Sequence, residues 1–139
     1  MIQTKSLGLA EAQLAIQTIQ AEVTRRGKAV VIAVVDPHGE LIALIRMDGA
    51  PLPSITIATN KAFTAARKGE PTRDIGQRVR DPEKGFDIAY NGDPRYVGWG
   101  GGLPVRINGE LVGAVAVSGL PETEDMEIVA MGVAAITAK

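Results

Sequence analysis

The sequence of 139 residues contains no cysteine, so disulfide bonds, thiolate metal sites and a cysteine nucleophile are all excluded. It contains a single histidine, which lacks the partner ligands that a metal site requires. Aromatic residues make up only 4% of the chain, so alanine, valine and isoleucine must fill most of the interior.

The chain also lacks an excess of charge of either sign and any long apolar run. Fifteen basic residues against sixteen acidic ones give a net charge of −1, which offers no electrostatic case for binding nucleic acid or an anionic membrane surface. The first 13 residues contain no apolar signal core, and no apolar run approaches membrane-spanning length. We therefore expect a cytoplasmic protein without nucleic-acid or membrane partners, folded as one domain over residues 1–139.

Two apolar segments predict a pair of antiparallel strands at residues 29–35 and 40–47. Pro37 suits the second position of a type I turn between them, and Gly39 suits its exit. Asp36 is placed to accept a local backbone hydrogen bond. Because nearly every position in both segments is apolar, we expect both strands to be buried on two faces of a covered sheet.

A second hairpin is predicted at residues 103–107 and 110–118, joined by Asn108-Gly109, the dipeptide typical of a tight hairpin turn. Apolar residues at three- and four-residue spacing predict helices at 7–26, 54–67 and 122–137, with a short helix at 72–79. Ser54 is the candidate N-cap of the second helix. Hairpins and helices in this order indicate an α+β domain, with one antiparallel sheet and helices packed against it.

Residues 80–102 form a long irregular segment, which in a compact domain is usually a functional loop or a mobile one. The segment ends in Gly98-Trp99-Gly100-Gly101-Gly102, a run that fits neither GxGxxG nor the P-loop. We therefore favour close backbone approach to a flat ligand or a neighbouring subunit over phosphate binding. Tyr96 and Trp99 suit the wall of an organic-ligand pocket and an interface anchor.

Two long motifs carry a family resemblance. They are MDGAPLPSITIATNKAFTAA at residues 47–66 and GGLPVRINGELVGAVAVSG at residues 101–119, followed by an acidic start to the last helix. With them the chain resembles the GlcG/HbpS-like family, often labelled haem-degrading or haem-binding, and is similar to the C-terminal domain of PduO-type corrinoid adenosyltransferases. The resemblance covers nearly the whole chain. It implies a profilin-like fold with a five-stranded antiparallel sheet flanked by helices, and assembly into dimers or larger rings, often octamers.

The chain departs from the family pattern at two places. Haem-binding relatives supply a histidine for the iron, but the only histidine here is His38, in the turn between two strands rather than on the first helix. The family's frequent Asp-Lys pair on the central helix is replaced by Asn60-Lys61. The resemblance therefore implies haem or corrinoid as a possible cofactor without an evident axial histidine, and we assign no metal ligand.

Lys61 lies at the edge of an apolar helical stripe, so its stem can be buried while its amine reaches a cavity. There it is suited to hold a carboxylate or, with a lowered pKa, to act as a base. The alternative is an ordinary salt bridge to Glu124 or Asp125. Glu122, Glu124 and Asp125 are themselves candidates for a general base, although stabilisation of the helix dipole explains them without chemistry.

Arg46 and Asp48 follow the second strand, at the start of a loop where binding residues concentrate. Arg46 is suited to a two-pronged grip on a carboxylate or propionate. A structural ion pair between the two residues is the alternative. His38 is better explained as a surface residue than as a ligand or base, and no catalytic triad surrounds Ser118.

Our leading hypothesis is a cytoplasmic, oligomeric small-molecule-binding protein, with a tetrapyrrole (haem or corrinoid) as the first ligand to test. The expected pocket residues are Arg46, Asp48, Ser54, Lys61, Tyr96, Trp99, Gly100, Gly101 and Gly102. A second hypothesis is a cofactor-independent enzyme acting on a small oxygenated or carboxylated metabolite, with Lys61 as acid/base or anion-holding group and Arg46 orienting the substrate. A third is an accessory or assembly subunit. The sequence leaves open whether the protein is an enzyme.

Overall fold

A computed structural model describes residues 1–138 and confirms the predicted α+β fold, an antiparallel sheet flanked by helices. The helices are α1 (Leu9–Arg25), α2 (Ser54–Lys68), α3 (Thr72–Val79) and α4 (Glu122–Thr137), with a short 3₁₀ turn at Ile88–Asn91. The strands are β1 (Val31–Val35), β2 (Leu41–Arg46), β3 (Gly102–Ile107) and β4 (Glu110–Ser118). None of the helices in this part of the chain has both the length and the apolar character needed to cross a bilayer.

The sheet has the order β2-β1-β4-β3, with every neighbouring pair antiparallel. The five-stranded sheet implied by the family resemblance is wrong for residues 1–138, which form four strands. Two hairpins supply all four, and pairing of β1 with β4 joins the hairpins. The segment between α3 and β3 is broken by prolines and glycines and contributes only the 3₁₀ turn, because proline has no N–H to donate to a strand ladder.

Both predicted hairpin turns are confirmed. In the first, the Gly39 amide donates to the Asp36 carbonyl at 3.0 Å, and Asp36 Oδ1 accepts from the His38 amide at 2.8 Å. In the second, Asn108 and Gly109 both have positive φ, at 52° and 79°, as a type I′ turn requires.

The prediction that both strands of the first hairpin are buried on two faces holds for β1 and is wrong for β2. Every residue of β1 is buried, whereas β2 is exposed at both ends and half-buried between them. The reason is the strand order, since β2 lies at the edge of the sheet and the helix layers cover it only in part.

The core lies in two layers, one on each face of the sheet. Ile32 and Val34 of β1 join the cluster that contains the buried residues of α1 and α4, while Val31, Ala33 and Val35 join the alanines of α2. This alternation follows from the two-residue period of a strand. Because α2 meets the sheet through alanines, it packs close to the strands and carries its neighbouring polar residues into the interior.

The irregular segment that ends in the glycine run is tied to α2 and α3 by hydrogen bonds. Thr64 Oγ1 accepts from the Val97 amide at 3.0 Å and donates to the Arg95 carbonyl at 3.3 Å. Thr72 Oγ1 accepts from the Gly102 amide at 2.9 Å. These bonds place the glycine run at the end of the sheet where β4 finishes and α4 begins.

Candidate functional site

A cavity of about 400 Å³ lies where the end of β4 meets the first turns of α2 and α4. We call it the Lys61 cavity and define it by its polar lining residues, which are Ser54, Lys61, Ser118, Glu122 and Asp125. Its apolar walls include Ile57 and Leu120, and the indole of Trp99 stands at its rim. A mostly apolar pocket with a few convergent polar groups is typical of a small-molecule site.

Lys61 and Asp125 form a buried ion pair in this cavity, and each residue is only 2% exposed. Lys61 Nζ donates to Asp125 Oδ2 at 3.3 Å and to the Val117 carbonyl at 3.0 Å, while Asp125 Oδ1 accepts from the Leu120 amide at 3.2 Å. Burial lowers the pKa of Lys61 and raises the pKa of Asp125 to about 6, and the attraction between the two charges opposes both shifts. Burial therefore favours the neutral form of each group, while their mutual attraction favours the ion pair.

The backbone of the glycine run lies close to other residues of the same chain. At Gly101, where φ is +121°, an added Cβ would lie 2.8 Å from Lys61 Nζ and 2.7 Å from the Val117 carbonyl oxygen. At Gly102 it would lie 2.6 Å from the Lys61 carbonyl oxygen. These two glycines pack against Lys61 without lining the cavity, whereas Gly100 is among the residues that line it.

The remaining polar groups of the cavity come from α2, β4 and α4. Glu122 Oε1 accepts from the Gly100 amide at 2.7 Å. The Ser118 hydroxyl donates to the Ser54 hydroxyl at 3.1 Å. The predicted N-cap role of Ser54 is wrong, because Pro53 occupies that position and the Ser54 side chain turns toward β4 instead.

The two aromatic residues of the irregular segment lie in different places. Trp99 lines the cavity and is 55% exposed. Tyr96 does not line it and packs on Phe63, with ring centroids 5.2 Å apart and the Lys68 amine 5.5 Å from the Tyr96 ring. Arg95 covers Phe63 at 3.8 Å.

Arg46 and Asp48 are not brought to the Lys61 cavity. Both are exposed, neither lines it, and within residues 1–138 no ion pair joins them. The strand order explains this, because β1 separates the end of β2 from β4, at whose end the cavity lies. Only the loop that follows Asp48 reaches the cavity, through Pro51 and Pro53.

His38 is exposed in the first hairpin turn, where its carbonyl accepts from Arg67 Nε at 2.6 Å. Among the described residues, no three His, Cys, Asp or Glu side chains are grouped closely enough to hold a metal ion.

The sequence alone does not assign Ser118, Glu122 and Asp125 to the pocket. No triad surrounds Ser118, and stabilisation of the helix dipole explains the acidic residues without chemistry. One signal was available, since Asp125 follows Glu122 by three residues and such pairs share a helix face. Of the two carboxylates considered for the salt bridge, Asp125 pairs with Lys61, and Glu124 instead pairs with Arg26 and Lys28.

Comparison with known proteins decides the family. The model of the family described as haem degrading protein HbpS-like matches residues 7–134. The chain belongs to the HbpS-like family.

Two curated relatives of this HbpS-like chain are similar over most of their length. An uncharacterized 15.0 kDa protein in the dhaT-dhaS intergenic region of Citrobacter freundii is 36% identical over 117 residues, covering 84% of this chain and 82% of that protein. Protein GlcG of Escherichia coli K12 is 36% identical over 99 residues, covering 71% of each. The resemblance to GlcG and HbpS predicted from the two motifs is confirmed.

Solved structures share the fold. Klebsiella pneumoniae protein ORFY has a TM-score of 0.92 with 30% identity, covering 100% of this chain and 96% of that one. The PduOC:heme complex has a TM-score of 0.87 with 25% identity, covering 94% of each chain.

Proposed function

We propose that this HbpS-like protein binds a small molecule in the Lys61 cavity, and that a tetrapyrrole is the first ligand to test. The family is described as haem degrading, and one close structural neighbour is a heme complex. The observation that carries the proposal is the placement of a half-exposed indole, that of Trp99, beside a cavity with convergent polar groups. Aromatic faces of this kind stack on flat rings.

The cavity does not fit the iron of a haem. Haem iron is held by histidine, cysteine, methionine or tyrosine side chains. Among the described residues, none of these four types lines the Lys61 cavity, and His38 lies in the turn between β1 and β2. The proposal therefore concerns the organic ring, which would stack on Trp99 and cover apolar surface at the rim.

The charges of the cavity set the orientation of such a ring. The lining contains one lysine and two carboxylates, so acidic substituents of the ligand are disfavoured inside. Propionate groups would therefore point outward to solvent. This is the opposite of the carboxylate-holding role considered for Lys61 from the sequence.

The test is a pair of titrations followed by absorbance and fluorescence, one with haemin and one with iron-free protoporphyrin IX. Because no side chain of the cavity ligates iron, we expect the two dissociation constants to agree within about threefold. Trp99→Ala should weaken both by about two- to tenfold through lost stacking. The matched control is Tyr90→Ala, an aromatic side chain that is 83% exposed and outside the cavity, which should bind as the wild type does.

Two outcomes would contradict the proposal. No saturable spectral change with either porphyrin at micromolar concentration would remove tetrapyrroles from the ligand class. Equal weakening by Trp99→Ala and Tyr90→Ala would remove the cavity rim as the site.

We also propose self-association, as a dimer or an octamer, of a single-domain protein in the cytoplasm. Support comes from Leu52, which is 68% exposed between Pro51 and Pro53, two residues that line the cavity together with the half-exposed Trp99. Exposed apolar side chains are suited to anchor a partner surface.

A second candidate function, a cofactor-independent enzyme, is favoured by the buried pair of Lys61 and Asp125. Perturbed ionisable pairs in clefts are typical of active sites. The third hypothesis, an accessory subunit with an uncharged cleft, receives no support from a cavity that contains three ionisable side chains.

A further inference from the structure

We infer that Lys61 is a nucleophilic amine that forms an imine with small, uncharged hydroxy-aldehydes or hydroxy-ketones in the Lys61 cavity, with Asp125 moving the protons. This deepens the enzyme candidate above and is independent of tetrapyrrole binding.

The first support is the position of the amine. Lys61 is 2% exposed, yet it is one of the residues that line the cavity. Within residues 1–138, its Nζ has two hydrogen-bond acceptors, the Val117 carbonyl and Asp125 Oδ2. An ammonium has three donors, so one position on the nitrogen remains, and loss of that third proton leaves a lone pair there. The nitrogen is therefore both held in place and incompletely coordinated.

The second support is the protonation of the amine. Burial is the largest influence on Lys61 and lowers its pKa, and the charges that face it are Asp125 and Glu122, both from α4. β4 contributes only the Val117 carbonyl, and the glycine run contributes backbone. Lysines that react with carbonyl groups are activated by desolvation in this manner.

The third support concerns the substrate class. With two carboxylates and one amine in the lining, a negatively charged substrate is repelled, and more strongly once the amine is neutral. The hydroxyls of Ser54 and Ser118 lie 3.1 Å apart and are placed to bind hydroxyl groups. The cavity of about 400 Å³ lies at the small end of the range for small-molecule pockets and has room for a small hydroxy-aldehyde or hydroxy-ketone. Of the oxygenated and carboxylated metabolites considered from the sequence, the site favours uncharged oxygenated ones.

Imine formation between Lys61 and the carbonyl compound needs no reagent beyond the groups of the site. The neutral amine attacks the carbonyl carbon, a C–N bond forms, and the carbonyl π electrons move to oxygen. Asp125, at 3.3 Å from Nζ, takes the two amine protons in turn and delivers them to that oxygen, which leaves as water. The C=N bond forms as the C–O bond breaks. One water is released for each imine, and nothing is oxidised or reduced.

The test is reductive trapping on the wild-type chain. The protein is incubated at pH 7 with glycolaldehyde or dihydroxyacetone and cyanoborohydride, which reduces an imine to a stable amine, and the labelled residues are mapped by peptide mass spectrometry. Because burial lowers the pKa of Lys61, its neutral amine fraction at pH 7 exceeds that of an ordinary lysine. We therefore expect Lys61 to be labelled severalfold faster than Lys28 and Lys68, which are more exposed.

Two controls keep the result specific. Glyoxylate, an anionic carbonyl compound of similar size, should label Lys61 more slowly than glycolaldehyde does. Ser54→Ala, which leaves the ion pair intact, should slow labelling at Lys61 and leave Lys68 unchanged. The wild-type mapping remains decisive even where variants of Lys61 or Asp125 fail to fold.

The inference is overturned if Lys61 stays unlabelled in the native protein while Lys28 and Lys68 react and denaturant restores its labelling. Faster labelling by glyoxylate would overturn the uncharged substrate class. Neither result bears on the porphyrin titrations, so the two proposals fail separately.

Discussion

At the residue scale, the environment of Asp125 shifts its pKa in the direction opposite to that of most acidic side chains. Most carboxylates in a folded protein gain charged or hydrogen-bonding partners that lower their pKa, as Glu22 does beside Arg25 and Arg26. Asp125 also has a cationic partner, Lys61, but its burial outweighs that attraction. The protonated form is consequently favoured in the folded chain relative to the unfolded one.

This gives a pH dependence with a defined sign. Burial raises the pKa of Asp125 from 3.8 to about 6, so this group contributes stability below pH 4 that is lost as the pH rises through about 6. We expect the free energy of unfolding of the wild type, minus that of Asp125→Asn, to fall by roughly 2 kcal/mol between about pH 4 and 6.5. Lys61 is the charged partner of Asp125, and Glu122 lines the same cavity. Urea denaturation at several pH values measures the difference, and a constant difference would refute the assignment.

At the element scale, α3 and the glycine run approach each other through two glycines. A Cβ added at Gly76 of α3 would collide with the backbone carbonyl of Gly98. Glycine is normally a poor helix residue, but here its missing side chain lets the segment that carries Trp99 pass against the helix. Glycine is therefore required at position 76 by the packing of α3 against the glycine run, despite its low helix propensity.

We expect Gly76→Ala to destabilise the protein by about 1–3 kcal/mol through overpacking. Helix propensity alone would give the opposite sign, a gain of about 1 kcal/mol. The control is Ala134→Gly on the exposed side of α4. It should lower the free energy of unfolding by about 1 kcal/mol and so measures the effect of helix propensity alone in this protein. A Gly76→Ala variant more stable than the wild type by chemical denaturation would refute the close contact.

The elements that could be predicted from the sequence are those fixed by local chemistry. Asp36-Pro37 and Asn108-Gly109 set their turns by themselves, and the helices follow from periodicity. The edge position of β2 depends on the pairing of β1 with β4, which no local pattern records. Lys61 and its two possible partners, Glu124 and Asp125, could be selected from the sequence, but the choice of Asp125, 64 residues away, required the fold.

At the scale of the whole molecule, the exposed apolar side chains near the cavity bear on assembly. Leu52 and Trp99 are 68% and 55% exposed, beside an end of the sheet where three elements meet. A neighbouring copy that covered this surface would also enclose the mouth of the cavity. Assembly and ligand binding would then depend on one another.

We expect light scattering to give a mass above the 14.6 kDa of one chain. Leu52→Asp should shift the distribution toward that single-chain mass, because a desolvated carboxylate in an interface is costly. Tyr90→Ser, which changes an exposed aromatic residue away from the cavity, should leave the distribution as in the wild type. A mass of one chain for the wild type at every concentration would exclude self-association.

The hydrogen bonds from the glycine run and the residues before it to two threonines affect the cost of ligand binding. Thr64 and Thr72 accept hydrogen bonds from the backbone amides of Val97 and Gly102, which lie on either side of Trp99. The backbone that carries the indole is thus held by the protein's own side chains, so ligand binding would carry little cost for ordering that segment. The amide hydrogens of Val97 and Gly102 should then exchange as slowly in the empty protein as those of the neighbouring strands.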